Sequence, residues 1–193
     1  MASPKDKTLR TAQLAKAQPG ERGVRHEDVF CGLRSGSVFE GTQLDYVGHL
    51  EARIILKHFD KERQCLAGYF EIKRHRKDRP ILTTFFDGEV IGDRHKFETG
   101  RWGSTVSQDK KGWEMFAEFE EHRELLARPE KTFNPFQREN VFMRWKEHYT
   151  APDCHLKVPG VSIDGFYYLV YDLSARKITG MYNSPQTTRM QRP

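Results

Sequence analysis

The sequence predicts an all-β fold: a closed antiparallel up-and-down barrel of about eight strands with one helical insertion. From Cys31 onward, short apolar runs of period two alternate with clusters of Gly, Asp, Asn and Pro, a pattern typical of successive strands and turns. Between two of these runs, residues 109–128 follow a helical period, and Pro129 ends that segment. We expect the sheet to close, because a barrel leaves no unpaired strand edge.

The predicted strands follow one another with short connections, as in a meander. Residues 50–56 alternate apolar with charged side chains, and a turn at 60–63 leads into the run 65–72, which indicates a hairpin. A basic stretch, residues 73–79, precedes the next run, which Pro80 opens. In chain order, the predicted strands are residues 50–56, 65–72, 81–86 with 89–91, 141–149, 166–173 and 177–182.

The helical insertion and the two ends complete the predicted organisation. Apolar residues within 109–128 recur at spacings of three, three and seven, which favours one amphipathic helix; they are Trp113, Phe116, Phe119 and Leu126. Residues 1–28 contain no aromatic side chain and predict a flexible tail. Residues 29–183 then form the barrel domain, and residues 184–193 a second tail.

Composition is typical of a soluble single domain. Of the 193 residues, 37% are hydrophobic and 31% charged, and no apolar run approaches the roughly 20 residues that a membrane helix needs. A net charge of +5 does not require nucleic acid as a partner, and none is expected. Cys31, Cys65 and Cys154 have no paired spacing, so we expect free thiols, no metal, no cofactor and a cytoplasmic or also nuclear location.

The predicted strand 141–149 carries the most informative residue, Glu147. Strand alternation places this carboxylate on the same face as four apolar or aromatic residues, Val141, Met143, Trp145 and Tyr149. The cationic side chains of the strand, Arg144, Lys146 and His148, point the other way. A buried carboxylate needs a cation, which comes either from the protein or with a ligand.

Two interpretations of Glu147 remain open from the residues alone. An arginine on another strand, or an exposed position at the barrel end, would satisfy the carboxylate without any ligand. Alternatively, an aromatic cavity with one carboxylate suits a protonated amine such as a peptide N-terminus, and residues 165–171 could line it. The simpler interpretation of the same aromatic residues is an ordinary barrel core.

Six segments carry a resemblance to a known family. They are Ser35-Gly36-Ser37, Gly41-Thr42-Gln43, Ala67-Gly68-Tyr69, Leu82-Thr83-Thr84-Phe85-Phe86-Asp87-Gly88-Glu89, residues 141–147 and Gly165-Phe166-Tyr167-Tyr168. In this order, over about residues 33–183, the chain resembles the vacuolar-import-and-degradation family, whose members are the Pro/N-degron receptors of the GID (CTLH) E3 ubiquitin ligase.

This resemblance implies a substrate-recognition subunit of the ligase rather than an enzyme. It implies a barrel whose mouth takes up the N-terminal residue of a substrate, proline or another small or apolar residue, for proteasomal degradation. Its implied partners are the N-terminal peptides of substrates and the scaffold subunit of the ligase. Ubiquitin transfer would belong to other subunits, and the sequence offers no catalytic motif of its own.

The resemblance also implies roles for eight residues of the predicted site. Glu147 matches the acid that pairs with the substrate ammonium. Four positions match residues that hydrogen-bond the first residues of the peptide, namely Gln43, Ser162, Tyr167 and Tyr182. Phe70 and Leu82 match apolar wall positions, whereas His75 and the basic loop 73–79 depart from the family pattern. This loop either favours peptides with acidic residues farther along or is an ordinary solvated turn.

Two other functions remain as alternatives. A lipocalin-like carrier of small molecules would use the same barrel and the same aromatic lining, without needing Glu147. A structural adaptor within the ligase would have an empty mouth. The C-terminal residues 184–193 lack the hydrophobic tail expected for docking on the scaffold, which leaves that contact open.

Overall fold

Eight antiparallel strands close into a barrel in simple chain order, as the sequence predicts. The computed structural model describes residues 9–14, 32–45, 48–73, 80–128, 130–131, 133–154 and 162–184, without the side chains of 9–14, 43–45 and 48–49. The strands are β1 (Leu9–Leu14), β2 (Val38–Asp45), β3 (Gly48–Asp60), β4 (Cys65–Lys73), β5 (Leu82–Val90), β6 (Asn140–Thr150), β7 (Phe166–Asp172) and β8 (Lys177–Asn183). Each strand pairs with the next, and β1 pairs with β8.

The barrel interior is filled by side chains that alternate inward along the strands. In β4, burial alternates strictly over nine residues, as expected for a strand with one face on a core. Phe70 of β4 and Trp145 of β6 belong to the same buried cluster, together with Ile54, Leu82 and Tyr167. Each such side chain contributes about 1.5–3 kcal/mol by leaving water, so this cluster stabilises the closed barrel.

The helical insertion covers the outer face of the second half of the barrel. It comprises α1 (Val106–Trp113), a 3₁₀ helix (Ala117–His122) and α2 (Arg123–Ala127), and a further 3₁₀ helix (Pro135–Gln137) precedes β6. The ring centroid of Trp113 lies 4.8 Å from that of Tyr168 and 5.9 Å from that of Phe142. Strand β7 is therefore buried on both faces, and its first six residues are all inaccessible.

The predicted single helix over 109–128 is wrong in detail. Helix α1 begins earlier, because Thr105 and Gln108 form a capping box at its start. It ends at Trp113, and Phe116 then takes an extended backbone conformation, with φ −105° and ψ 124°, before the 3₁₀ helix begins. An apolar spacing of three residues fits 3₁₀ geometry as well as α-helical geometry, so the sequence pattern did not separate them.

Strand β1 lies within the segment 1–28, for which the sequence predicts a flexible tail. That prediction is wrong for residues 9–14, which pair with β8 over six Cα partners and also with β2. Closure of the sheet offers backbone hydrogen bonds on both sides of this strand, so pairing outweighs a composition that lacks aromatic residues. The rest of the predicted tail, and residues 185–193, lie outside the described residues.

No helix in the described ranges is both long enough and apolar enough to cross a bilayer.

At Gly112 of α1, we expect alanine to destabilise the protein, although alanine favours helix formation over glycine. A Cβ atom at this position would lie 2.3 Å from the Tyr168 ring, and the Tyr168 hydroxyl is held by a 2.7 Å hydrogen bond to Asp109. Gly112→Ala usually favours a helix by about 1 kcal/mol, but here we expect a loss of about 1–3 kcal/mol in the free energy of unfolding. Urea denaturation measures it, and Lys110→Ala on the exposed side of α1 is the control; a stabilised Gly112→Ala would contradict the packing.

Candidate functional site

Glu147 lies inside the barrel, as strand parity predicts. Its side chain is 4% exposed, and the next inward residues of β6, Met143 and Trp145, belong to the buried interior cluster. The carboxylate accepts a short hydrogen bond from the hydroxyl of Thr84, a buried residue on β5. A position at the exposed barrel end, one of the ligand-free interpretations, is therefore excluded.

A bulge in β6 changes the face of the residues that follow Glu147. Phe86 pairs with Glu147, but Phe85 pairs with Tyr149, so His148 is an extra residue in the ladder. Tyr149 is consequently 43% exposed and stacks on Phe85, with ring centroids 5.1 Å apart. The prediction that Tyr149 shares the inward face is wrong, because strict alternation does not anticipate a bulge.

The Glu147 carboxylate has no cationic side chain in direct contact among the described residues. No ion pair to its carboxylate occurs among the described residues, whose other acidic groups include several paired ones. Burial raises the pKa of Glu147 to about 7, against smaller opposing effects of the Thr84 hydrogen bond and the positive charge of Lys146. An arginine from another strand, the second ligand-free interpretation, is thus not found in the described part of the chain.

A second buried carboxylate, Glu89, has a basic side chain close to each of its two oxygens. Its oxygens lie 2.9 Å from Arg144 Nη2 and 2.7 Å from Arg101 Nη2, with His95 Nδ1 at 3.2 Å. Burial raises the pKa of Glu89, but the His95 hydrogen bond and the Arg144 charge outweigh it and lower the pKa to about 2. Asp109, the other buried acid without an ion pair among the described residues, accepts hydrogen bonds from Thr99, Ser104 and Tyr168, whereas Glu147 accepts one from Thr84 alone.

Aromatic side chains form the wall around Glu147. The ring of Tyr167 lies 5.0 Å from Tyr182, 5.9 Å from Trp145 and 6.0 Å from Phe70, measured between centroids. The Trp145 indole nitrogen is buried and has no acceptor among the residues described. Within the described part of the chain, the interior therefore combines apolar walls with the Glu147 carboxylate and the Trp145 N–H donor, which suits a ligand that is apolar, cationic and able to accept a hydrogen bond.

The loop that precedes β7 is held from both sides of the sheet. The Tyr182 hydroxyl donates to the Ser162 carbonyl at 2.8 Å and accepts from the Gly165 amide at 2.9 Å. From the other face, Lys146 Nζ donates to the carbonyls of Asp164 and Gly165, both at 2.9 Å. Sequence reasoning missed this role of Lys146, which only the folded loop reveals. The Tyr182 proton is already used, so its hydroxyl could offer a ligand only a lone pair.

The remaining predicted site residues occupy the following positions. Leu82 and Phe70 are buried in the interior cluster, where Phe70 is the cross-strand partner of Thr84. Ser162 is exposed, and its hydroxyl donates to the Asp164 carboxylate at 2.8 Å. Gln43 lies on β2 with Leu50 as its partner on β3, and its side chain is outside the description. His75 lies outside the described residues altogether.

A closed eight-stranded antiparallel barrel with a buried acid and aromatic side chains in its interior belongs to the class of small β-barrels. The sequence pattern of the "Vacuolar import and degradation protein" family matches residues 32–192, and this chain belongs to that family.

Named relatives agree with this membership. The mouse (Mus musculus) protein "Glucose-induced degradation protein 4 homolog" is 36% identical over 152 residues, covering 78% of this chain and 70% of the mouse protein. The Schizosaccharomyces pombe protein "GID complex substrate-recognition subunit 4" is 30% identical over 161 residues, covering 78% of this chain and 83% of that protein. The Saccharomyces cerevisiae protein of the same name matches over 65 residues at 40% identity.

Proposed function

We propose that this chain is a substrate-recognition subunit of a GID-type E3 ubiquitin ligase that binds the free N-terminus of its substrates through Glu147. The subunit role rests on family membership and on the names of the two relatives that align with most of this chain. The binding mode rests on one observation: Glu147 is a buried carboxylate that forms no ion pair with any of the described residues. The chain is then a receptor, and other subunits of the ligase perform the chemistry, in the cytoplasm or nucleus.

A ligand ammonium would compensate the charge that the fold leaves uncompensated. A charge-assisted hydrogen bond between an ammonium and a carboxylate is about twice as strong as a neutral one, and a dry site reduces its screening by water. The first side chain of the ligand would then contact the aromatic wall formed by Phe70, Trp145 and Tyr167. Proline suits this position, because its rigid ring loses little entropy on binding and its secondary ammonium still offers two donors.

Hydrogen-bonding groups for the following peptide units lie near the same acid. The Trp145 indole nitrogen is a buried donor that lacks an acceptor among the described residues, so a peptide carbonyl would satisfy it. Ser162 at the rim exposes a hydroxyl whose loop is anchored by Tyr182. A neutral apolar ligand would satisfy neither the carboxylate nor this donor, which favours the N-terminus of a protein over a lipocalin-like cargo.

Binding should depend on pH with a maximum near neutrality. Glu147 in the unbound protein has a pKa raised to about 7, and an α-amino group titrates at about 7.7–8.0. Below pH 7 the carboxyl group is protonated before binding, and above pH 8 the amine is neutral, so we expect affinity to peak at about pH 7.5 and fall on both sides. Calorimetric titrations between pH 5.5 and 9.5 measure the profile, and an affinity that keeps rising toward pH 5.5 would contradict the acid's role.

The proposed function is tested by comparing two peptides that differ only at the amine. The purified chain is titrated with a short peptide that begins Pro-Gly and with its N-acetylated form. We expect binding of the free peptide only. Equal affinity for both would favour a carrier of apolar ligands, and failure of a panel of free N-termini to bind would favour a structural adaptor, so either result overturns the proposal.

A further inference from the structure

Three side chains with metal-binding atoms converge on the β3–β4 hairpin, away from Glu147. They are His58 and Asp60 near the end of β3 and Cys65 at the start of β4. One nitrogen, one oxygen and one sulfur, one from each residue, all lie within 4.8 Å of one another. His58 is exposed and the other two are half-buried, so the group is open to solvent.

A bulge in β3 builds this cluster. Ala52, Ile54 and Leu56 point inward, and strict alternation would send His58 and Asp60 inward as well. The register of β3 against β4 shifts between Leu56 and His58, so that the extra residue reverses the faces beyond it.

The residues beyond the bulge confirm this reversal. Phe59 packs against the interior cluster, whereas Asp60 is the direct cross-strand partner of Cys65. His58 lies two residues before Asp60, on the same face of the sheet. The bulge thus places a histidine, a carboxylate and a thiol on one outer face.

Arg63 orients the Asp60 carboxylate from two sides. Its amide donates to Asp60 Oδ1 at 2.8 Å, and its exposed guanidinium Nε lies 3.7 Å from Asp60 Oδ2, so a metal ion would replace this long, solvent-exposed ion pair. Asp60 and Asp87 both place negative charge near the Cys65 sulfur, against the opposite effect of Arg63. A divalent cation would be stabilised by this field and by the thiolate that it generates.

We propose that His58, Asp60 and Cys65 bind a zinc ion, with water in the fourth position. Mixed nitrogen, oxygen and sulfur ligands suit zinc, a borderline-soft metal, better than calcium or magnesium, which prefer oxygen alone. Tetrahedral zinc at 2.0–2.3 Å from its ligands requires ligand atoms about 3.5 Å apart. The three ligand atoms lie within 4.8 Å of one another, so binding requires side-chain rotations that bring them about 1 Å closer.

The sequence predicts no metal here, because the ligands form no paired cysteine motif and include a single thiol. Only the hairpin register and the bulge bring them together. Bound zinc would crosslink the two strands of this hairpin. The site lies about three residues along β5 from Glu147, since Cys65 pairs with Glu89 and Glu147 pairs with Phe86. The site does not depend on the proposed peptide binding, and peptide affinity should be the same with and without zinc.

The test uses cobalt as a spectroscopic substitute for zinc in the purified full chain after treatment with a chelator. We expect one equivalent of Co²⁺ to produce a thiolate-to-cobalt charge-transfer band and the visible bands of tetrahedral cobalt, both removed by added zinc. Cys65→Ser should abolish the charge-transfer band. Asp60→Asn and His58→Ala should weaken zinc affinity by more than the 10–100-fold that loss of an outer partner costs.

Cys154→Ser is the control, because Cys154 is an exposed free thiol that lies outside the cluster. This variant should keep the band and the one-to-one stoichiometry. Absence of the band in the unsubstituted chain, its persistence in Cys65→Ser, or its loss in Cys154→Ser would overturn the proposal.

Discussion

Replacing Glu147 with glutamine is expected to weaken binding of a peptide with a free N-terminus by at least about 30-fold. Removing one partner of a buried, hydrogen-bonded charge pair costs roughly 2–5 kcal/mol, and each 1.4 kcal/mol is a factor of ten in Kd. Glutamine keeps the size of the side chain and can still accept the Thr84 hydrogen bond, so the walls stay in place. Titration calorimetry at pH 7.5 measures the loss.

The fold of the Glu147→Gln variant should be at least as stable as that of the natural chain above pH 7. Burial raises the pKa of this carboxyl group from 4.5 to about 7, so its stabilising contribution is complete below pH 4.5 and is lost as pH rises through 7. Glutamine carries no such charge.

Glu139→Gln is the control for the binding experiment, because Glu139 is an exposed glutamate beside the start of β6. Unchanged peptide affinity in Glu147→Gln would contradict the role of the acid.

Replacing Arg144 with methionine is expected to lower the free energy of unfolding by about 3–5 kcal/mol. Arg144 is 1% exposed, and its Nη1 donates to the Phe97 carbonyl at 3.0 Å while Nη2 pairs with Glu89 at 2.9 Å. Methionine fills much of the volume but leaves the Phe97 carbonyl without this donor and removes one cation from Glu89. Urea denaturation followed by circular dichroism measures the loss.

Arg128→Met provides the matched comparison for Arg144. Arg128 also pairs with a glutamate, at 3.2 Å from Glu124, but its side chain is 56% exposed. Ion pairs in contact with water contribute about 0–1 kcal/mol, so this variant should unfold almost as the natural chain does. Similar losses of unfolding free energy in both variants would show that the buried Arg144 contributes no more to stability than an exposed arginine does.

Glu147 was predictable from the sequence because period-two alternation is a local property. The strand 141–149 contains three inward apolar residues before the acid, and the observed β6 keeps that parity through Glu147. The same rule failed for Tyr149, since the bulge at His148 depends on pairing with β5. It also did not predict the burial of Arg144, whose outward-pointing side chain is covered by residues 97–99, between β5 and α1.

Long-range strand pairing also explains why two strands, β1 and β2, and one side-chain cluster were not predicted from the sequence. Strand β2 was absent from the predicted runs, because Gly41 and Thr42 interrupt its alternation, yet it pairs with β3 over eight Cα partners. Strand β1 forms at the closure of the sheet, where both neighbours supply hydrogen bonds. The cluster of His58, Asp60 and Cys65 depends on a register shift that no spacing in the sequence encodes.

The coupling free energy between the peptide amine and Glu147 can be measured directly by four calorimetric titrations. The natural chain and the Glu147→Gln variant are each titrated with a free and an N-acetylated peptide that begins Pro-Gly. We predict that acetylation lowers affinity by at least about 100-fold in the natural chain but less than about threefold in the variant, a coupling of more than roughly 2 kcal/mol. If acetylation costs the same in both proteins, the ammonium does not bind Glu147, and the central claim is wrong.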